Sequence, residues 1–131
     1  MKFLAQEWLK AANDDLLVLD EIIDNVLITN VTAFHCQQCI EKCLKAILEE
    51  YGLRVPKIHN LVTLFGDVRG MSDFDFDEDV LDKLDKLYID ARYPSELGLL
   101  PYGKPTIEDA RDFYNFARDV YSRIKGFLES R

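Results

Sequence analysis

In four long stretches of this chain apolar residues recur every three or four positions, the spacing that lines one face of an α-helix. The last stretch is the clearest. Ile107, Ala110, Phe113, Ala117, Val120, Ile124 and Leu128 share a face, and Thr106 with Asp109 three residues on reads as a variant capping box. The first runs from about Phe3 to Val26, with Leu4, Trp8, Ala12, Leu16, Leu19, Ile23 and Val26 on its stripe. The second begins near Thr32, capped by Asn30 or Thr32, and ends at Tyr51-Gly52. Another runs from about Asp77 to Arg92, where Pro94 stops it. A short helix, roughly Ile58 to Phe65, fits between. Nothing reads as a strand pair. Long helices joined by short loops pack as an up-and-down antiparallel bundle, so the expected fold is all-α, four long helices plus one short, in a single domain over 1–131.

The chain has 131 residues, enough for one core without covalent staples. No segment reaches the roughly 18 consecutive apolar residues that a membrane helix needs. The opening MKFLAQEWLKAANDD lacks the apolar region of a signal peptide, so a cytoplasmic protein off the membrane is expected. Net charge is −8, and residues 73–90 supply most of it, with eight acids against two lysines. That argues against tight non-specific nucleic-acid binding by the molecule as a whole but leaves room for a local basic stripe.

One histidine and all three cysteines fall within 35–43. On a helical wheel Cys36 and Cys43 lie on the apolar face and Cys39 on its flank, forming a line of small side chains against which a neighbouring helix packs closely. A metal cage needs a fourth ligand converging on the same point, and His35 points elsewhere, so no metal and no cofactor are expected. On the opposite face His35, Gln38, Lys42, Lys45 and Glu49 make a polar stripe with Glu41 beside it, either plainly solvated or a contact surface for a phosphate-bearing ligand or a partner. Asp15 falls inside the apolar stripe of the first helix. A buried carboxylate costs several kcal/mol, on the order of the desolvation penalty, unless it is paired. It is expected to be a structural buried charge whose partner is Arg92 or a lysine of the second helix. Arg111, Tyr114, Arg118, Tyr121 and Lys125 interleave aromatics and cations along the last helix, a pattern that serves base stacking or a core flank with snorkelling stems.

Taken together, the Trp8…Ala12…Asp15-Leu16 pattern, AFHCQQCIEKCLKAIL (33–48), KIHNLVTL (57–64) and ARYP (91–94) resemble the HEPN family. That resemblance implies a helical bundle that is often a homodimer. It also implies one of two activities: metal-independent RNA cleavage through an R-x(4–6)-H motif, or partnership with a minimal nucleotidyltransferase as toxin and antitoxin. After Arg92 the histidine positions hold Leu97, Gly98 and Leu99, and neither His35 nor His59 is read as following an arginine at that spacing, so the usual motif is expected to be missing. The leading expectation is therefore nucleotide or RNA binding in a basic cleft framed by Lys42, Lys45, His59, Arg92 and Tyr93. The alternatives are a non-catalytic partner of a nucleotidyltransferase and, third, a ribonuclease using Arg92 and His59.

Overall fold

The second helix is the axis of the molecule. In the computed structural model, which describes residues 1–91 and 104–131, it spans Thr29–Glu50 and packs against every other helix. The chain order is α1 (Phe3–Ile22), α2 (Thr29–Glu50), α3 (Leu61–Val68), α4 (Glu78–Ala91) and α5 (Ile107–Glu129), with a 3₁₀ turn at Arg69–Met71. Among the described residues there is no strand, and none of the helices is long and apolar enough to cross a membrane. The all-helical bundle follows the periodicity.

The ends of the elements differ from expectation for local reasons. α1 stops at Ile22, four residues early, and Asn25 turns the chain by accepting from Leu27 N at 3.0 Å. Its buried face is Ala5, Leu9, Ala12, Asp15, Leu16 and Leu19, so Leu4 and Val26 of the expected stripe are exposed. α2 starts at Thr29 rather than Thr32, with Ile28 in the capping position and no side-chain cap. Thr29 instead donates its hydroxyl to Pro105 O at 2.6 Å, tying the start of α2 to the approach of α5. α3 lies three residues later than expected because Asn60 caps it, its side chain accepting from Thr63 N. The Thr106–Asp109 capping box is present in both directions.

α2 ends in a Schellman turn. Leu53 N bonds Leu48 O, Gly52 N bonds Glu49 O, and Gly52 sits at φ 67°, where a side chain is strained. This turn throws the chain into the connector of residues 53–60, which carries Arg54, Lys57 and His59.

The core is aliphatic around α2, with Ile40, Leu44, Ile47 and Leu48 fully or almost fully enclosed. Cys36, Cys39 and Cys43 are completely buried free thiols within it. Burial above all, then the neighbouring Cys39 and last Asp15, pushes the Cys36 and Cys43 thiols well above their ordinary range. They fill space as small apolar groups. α5 is fastened to α1 across the surface. Tyr114 donates to Asp20, Arg118 reaches the same carboxylate at 3.2 Å, and Arg111 reaches Asp24 at 3.3 Å. Three of the five residues of the aromatic–cation stripe on α5 are thus engaged with α1 or the turn after it.

Candidate functional site

Because helices surround α2, its polar face is not a solvent face. Glu41 and Lys45 are buried, and Gln37 is fully enclosed. Polar groups in that setting persist only where each finds a partner, and α2 resolves this with two similar arrangements.

The first centres on Asp15 of α1. One oxygen accepts from Lys42 Nζ at 2.8 Å and the other from His35 Nδ1 at 2.9 Å. Of the partners expected for this carboxylate, the structure supplies the lysine of the second helix and adds a histidine. The second centres on Glu41. It accepts from Lys45 Nζ at 3.0 Å, from His59 Nδ1 at 3.0 Å and from Gln38 Nε2 at 3.4 Å. Lys45 also lies 5.6 Å from the centroid of the Trp8 ring, and Trp8 Nε1 donates to Glu49 at 3.3 Å.

Each buried carboxylate thus holds one lysine and one histidine, and the chain has only these two histidines. A carboxylate oxygen only accepts, so the nitrogen facing it carries the proton. Each ring is thereby held with Nδ1 towards its carboxylate. His35 retains 25% of its side-chain exposure and His59 46%, so His59 is the more open. Aromatic rings bridge the two. Phe34 packs edge-on to His35 at 5.3 Å, Phe34 stacks on Tyr88 of α4 at 5.5 Å, and Tyr88 meets His59 at 5.2 Å.

His59 is held at its backbone as well as its ring. Gln37 Nε2 donates to His59 O at 2.5 Å, while Gln38 Nε2 donates to Gln37 Oε1 at 2.8 Å. The Gln37-Gln38-x-x-Glu41 run therefore has a physical purpose: its three side chains position one residue on the connector. Just past His59, Asp85 of α4 accepts from Leu61 N at 2.7 Å and Val62 N at 3.2 Å, fixing the first turn of α3. Burial pushes the Asp85 carboxyl up, against the downward pull of these N–H donors and of Gln37.

The expected cleft lysines take a different position. Lys42 and Lys45 are both paired with buried carboxylates, and Lys45 retains only 6% of its side-chain exposure. Their charge is already offset within the fold. Arg92 and Tyr93 lie outside the described residues. The cations beside His59 are ones the sequence reading passed over. Arg54 and Lys57 are exposed, and neither is paired with any described residue. Lys57 is two residues from His59, so their Cα atoms lie within about 7 Å. The expectation that neither histidine follows an arginine at the R-x(4–6)-H spacing is wrong for His59. Arg54-Val-Pro-Lys-Ile-His59 carries that spacing in the connector. The signal was present in the sequence, masked by placing the motif at the end of the fourth long helix. A surface groove of about 850 Å³ between α1 and α5 lies apart from these residues. Its rim mixes Lys10 and Lys125 with Glu7, Asp14 and Glu129, which gives it no preference for an anion.

Comparison with known proteins agrees with this arrangement of helices. The family model for the HEPN domain matches residues 5–127. Among solved structures, the crystal structure of an archaeal HEPN homologue is similar at a TM-score of 0.68 and 27% identity, over 98% of this chain and 99% of that one. No curated protein matches the chain.

Proposed function

The chain belongs to the HEPN domain family, and from that premise we propose that it binds the phosphate of a nucleotide or RNA on the connector between α2 and α3, through His59, Lys57 and Arg54. The observation that carries this reading is the Glu41–His59 bond, which engages Nδ1 of a half-exposed ring on a connector whose two cations are exposed and paired with no described residue. A guanidinium suits paired phosphate oxygens and an ammonium adds point charge. Lys42 stands beside His35 at the edge of the same helix face and contributes as half of a neutral pair. Lys45 acts only by fixing Glu41. Arg92 and Tyr93, expected in the cleft from the sequence, lie outside the described residues.

Calorimetric titration of ATP and a short single-stranded RNA tests the reading. His59→Ala and Arg54→Ala are each expected to weaken binding about tenfold, equivalent to roughly 1.4 kcal/mol. RNA affinity should also fall as salt rises. No heat at millimolar ligand, or equal affinity in all variants, contradicts it.

RNA cleavage without metal is the second reading, favoured by the same bond. His59 Nε2 takes the 2′-hydroxyl proton, the 2′-oxygen attacks the adjacent phosphorus, and the 5′-oxygen departs with a proton from water. Arg54 offsets the charge that develops on the phosphate. Labelled RNA in EDTA distinguishes cleavage from binding: cleavage by the native protein that is lost in His59→Ala supports it, and intact RNA removes it. The homodimer and the nucleotidyltransferase partnership implied by the family have a docking candidate in Leu17, Val18, Val26 and Leu27. All four are exposed in the last turns of α1 and the turn after it.

A further inference from the structure

We infer that Asp85 of α4, acting with Gln37 of α2, is a positioning residue for His59: it fixes where the imidazole stands and which of its nitrogens carries the proton. The inference rests on the reading that His59 is the ligand-contacting group, but it makes a claim that stands without any ligand.

His59 belongs to an irregular connector, and its ring is nearly half exposed. One bond to Glu41 does not hold such a residue, because the chain on either side is free to swing. The structure closes both sides. Upstream, the Schellman turn at Gly52 sets the direction in which the connector leaves α2. Downstream, both carboxylate oxygens of Asp85 bind the first two N–H groups of α3, two and three residues after His59. Between these, the Gln37 amide spans the gap. It donates to His59 O and also reaches Asp85, while its own oxygen accepts from Gln38. Gln38 then touches Glu41, and Glu41 takes His59 Nδ1. The hydrogen bonds form a closed loop that starts and ends at His59.

Asp85 is almost fully buried, and among the described residues it has no ion pair. A carboxyl kept there, with N–H donors for company, needs a purpose beyond packing. Capping α3 is one purpose, but Asn60 already caps that helix through Thr63 N. What Asp85 adds is the tie from the start of α3 to Gln37 and so to His59.

The test is ¹⁵N-resolved imidazole NMR on the full chain, with His35 as an internal reference, in Asp85→Asn and Gln37→Met. The native protein is expected to show His59 as the Nδ1–H tautomer. Each variant is expected to lose that preference at His59, with both tautomers populated, while His35 keeps its signature. A variant that loses structure moves both rings, which exposes global unfolding as the cause. Should Asp85→Asn unfold, Gln37→Met carries the test alone, since the start of α3 remains capped. His59 unchanged in a folded variant overturns the inference. ATP titration in the same variants is a separate arm: lost tautomer preference without lost affinity contradicts the binding role of His59 and leaves the positioning role standing.

Discussion

Asp15 shows most simply how one residue carries an argument. A carboxylate on the apolar stripe of a helix forces a partner to exist, and that was legible before any coordinates. Which partner it takes was not, because spacing along one helix says nothing of register against another. Lys42 and His35 answer together. Replacing Lys42 by Met strands Asp15 with one partner and is expected to destabilise the fold by about 2 kcal/mol. That falls short of the cost of breaking a fully buried pair, because Lys42 is partly exposed and His35 remains. Asp15→Asn in the same background is expected to restore part of the loss, and urea denaturation measures both. Asp85 behaves in the opposite sense to most carboxylates. Its pKa is raised by burial, so the native state binds that proton more tightly than the unfolded chain. Its contribution to stability is greatest below the unfolded carboxylate range and is lost as pH rises through the folded value. The stability difference between native protein and Asp85→Asn is therefore expected to move against the native protein as pH climbs from the carboxylate range towards neutrality. A flat difference contradicts this.

At the scale of elements, periodicity found every helix, and caps decided how well their ends were placed. The Thr106–Asp109 box and the Tyr51-Gly52 stop were legible because specific side chains or a glycine mark them. The start of α2 was misjudged because no side chain caps it. Asn30 and Thr32, the expected caps, lie inside the helix, and Asn30 Oδ1 and Thr32 Oγ1 are buried with no hydrogen-bond partner among the described residues. Thr106→Ala is expected to cost about 1 kcal/mol through loss of one N–H partner. Gly52→Ala is expected to cost about 1 kcal/mol or more, since φ 67° is strained for any side chain. Thermal unfolding of each variant checks both. The second has a further consequence, because that turn aims the connector: His59 should shift in Gly52→Ala and not in Thr106→Ala.

Across the whole molecule, the difference from the sequence reading lies in the two lysines of the second helix. Lys42 and Lys45 read as surface charges because they repeat with His35 and Glu49 on a polar stripe. In the fold that stripe lies under other helices, and each lysine neutralises a buried carboxylate. A single helix wheel cannot show this, since it assumes one face is wet, and α2 has neighbours on every side. The positive character therefore moves to the connector, where Arg54 and Lys57 flank a histidine fixed by Glu41. In the proposed reading the net negative charge of the rest of the chain disfavours polyanions elsewhere. The measurement that reaches this claim most directly is an imidazole ¹⁵N titration of the native protein with ATP. The account predicts a saturable shift at His59 Nε2 that disappears in Arg54→Ala, with a smaller change at His35. Resonances of both rings that stay still up to millimolar nucleotide contradict it.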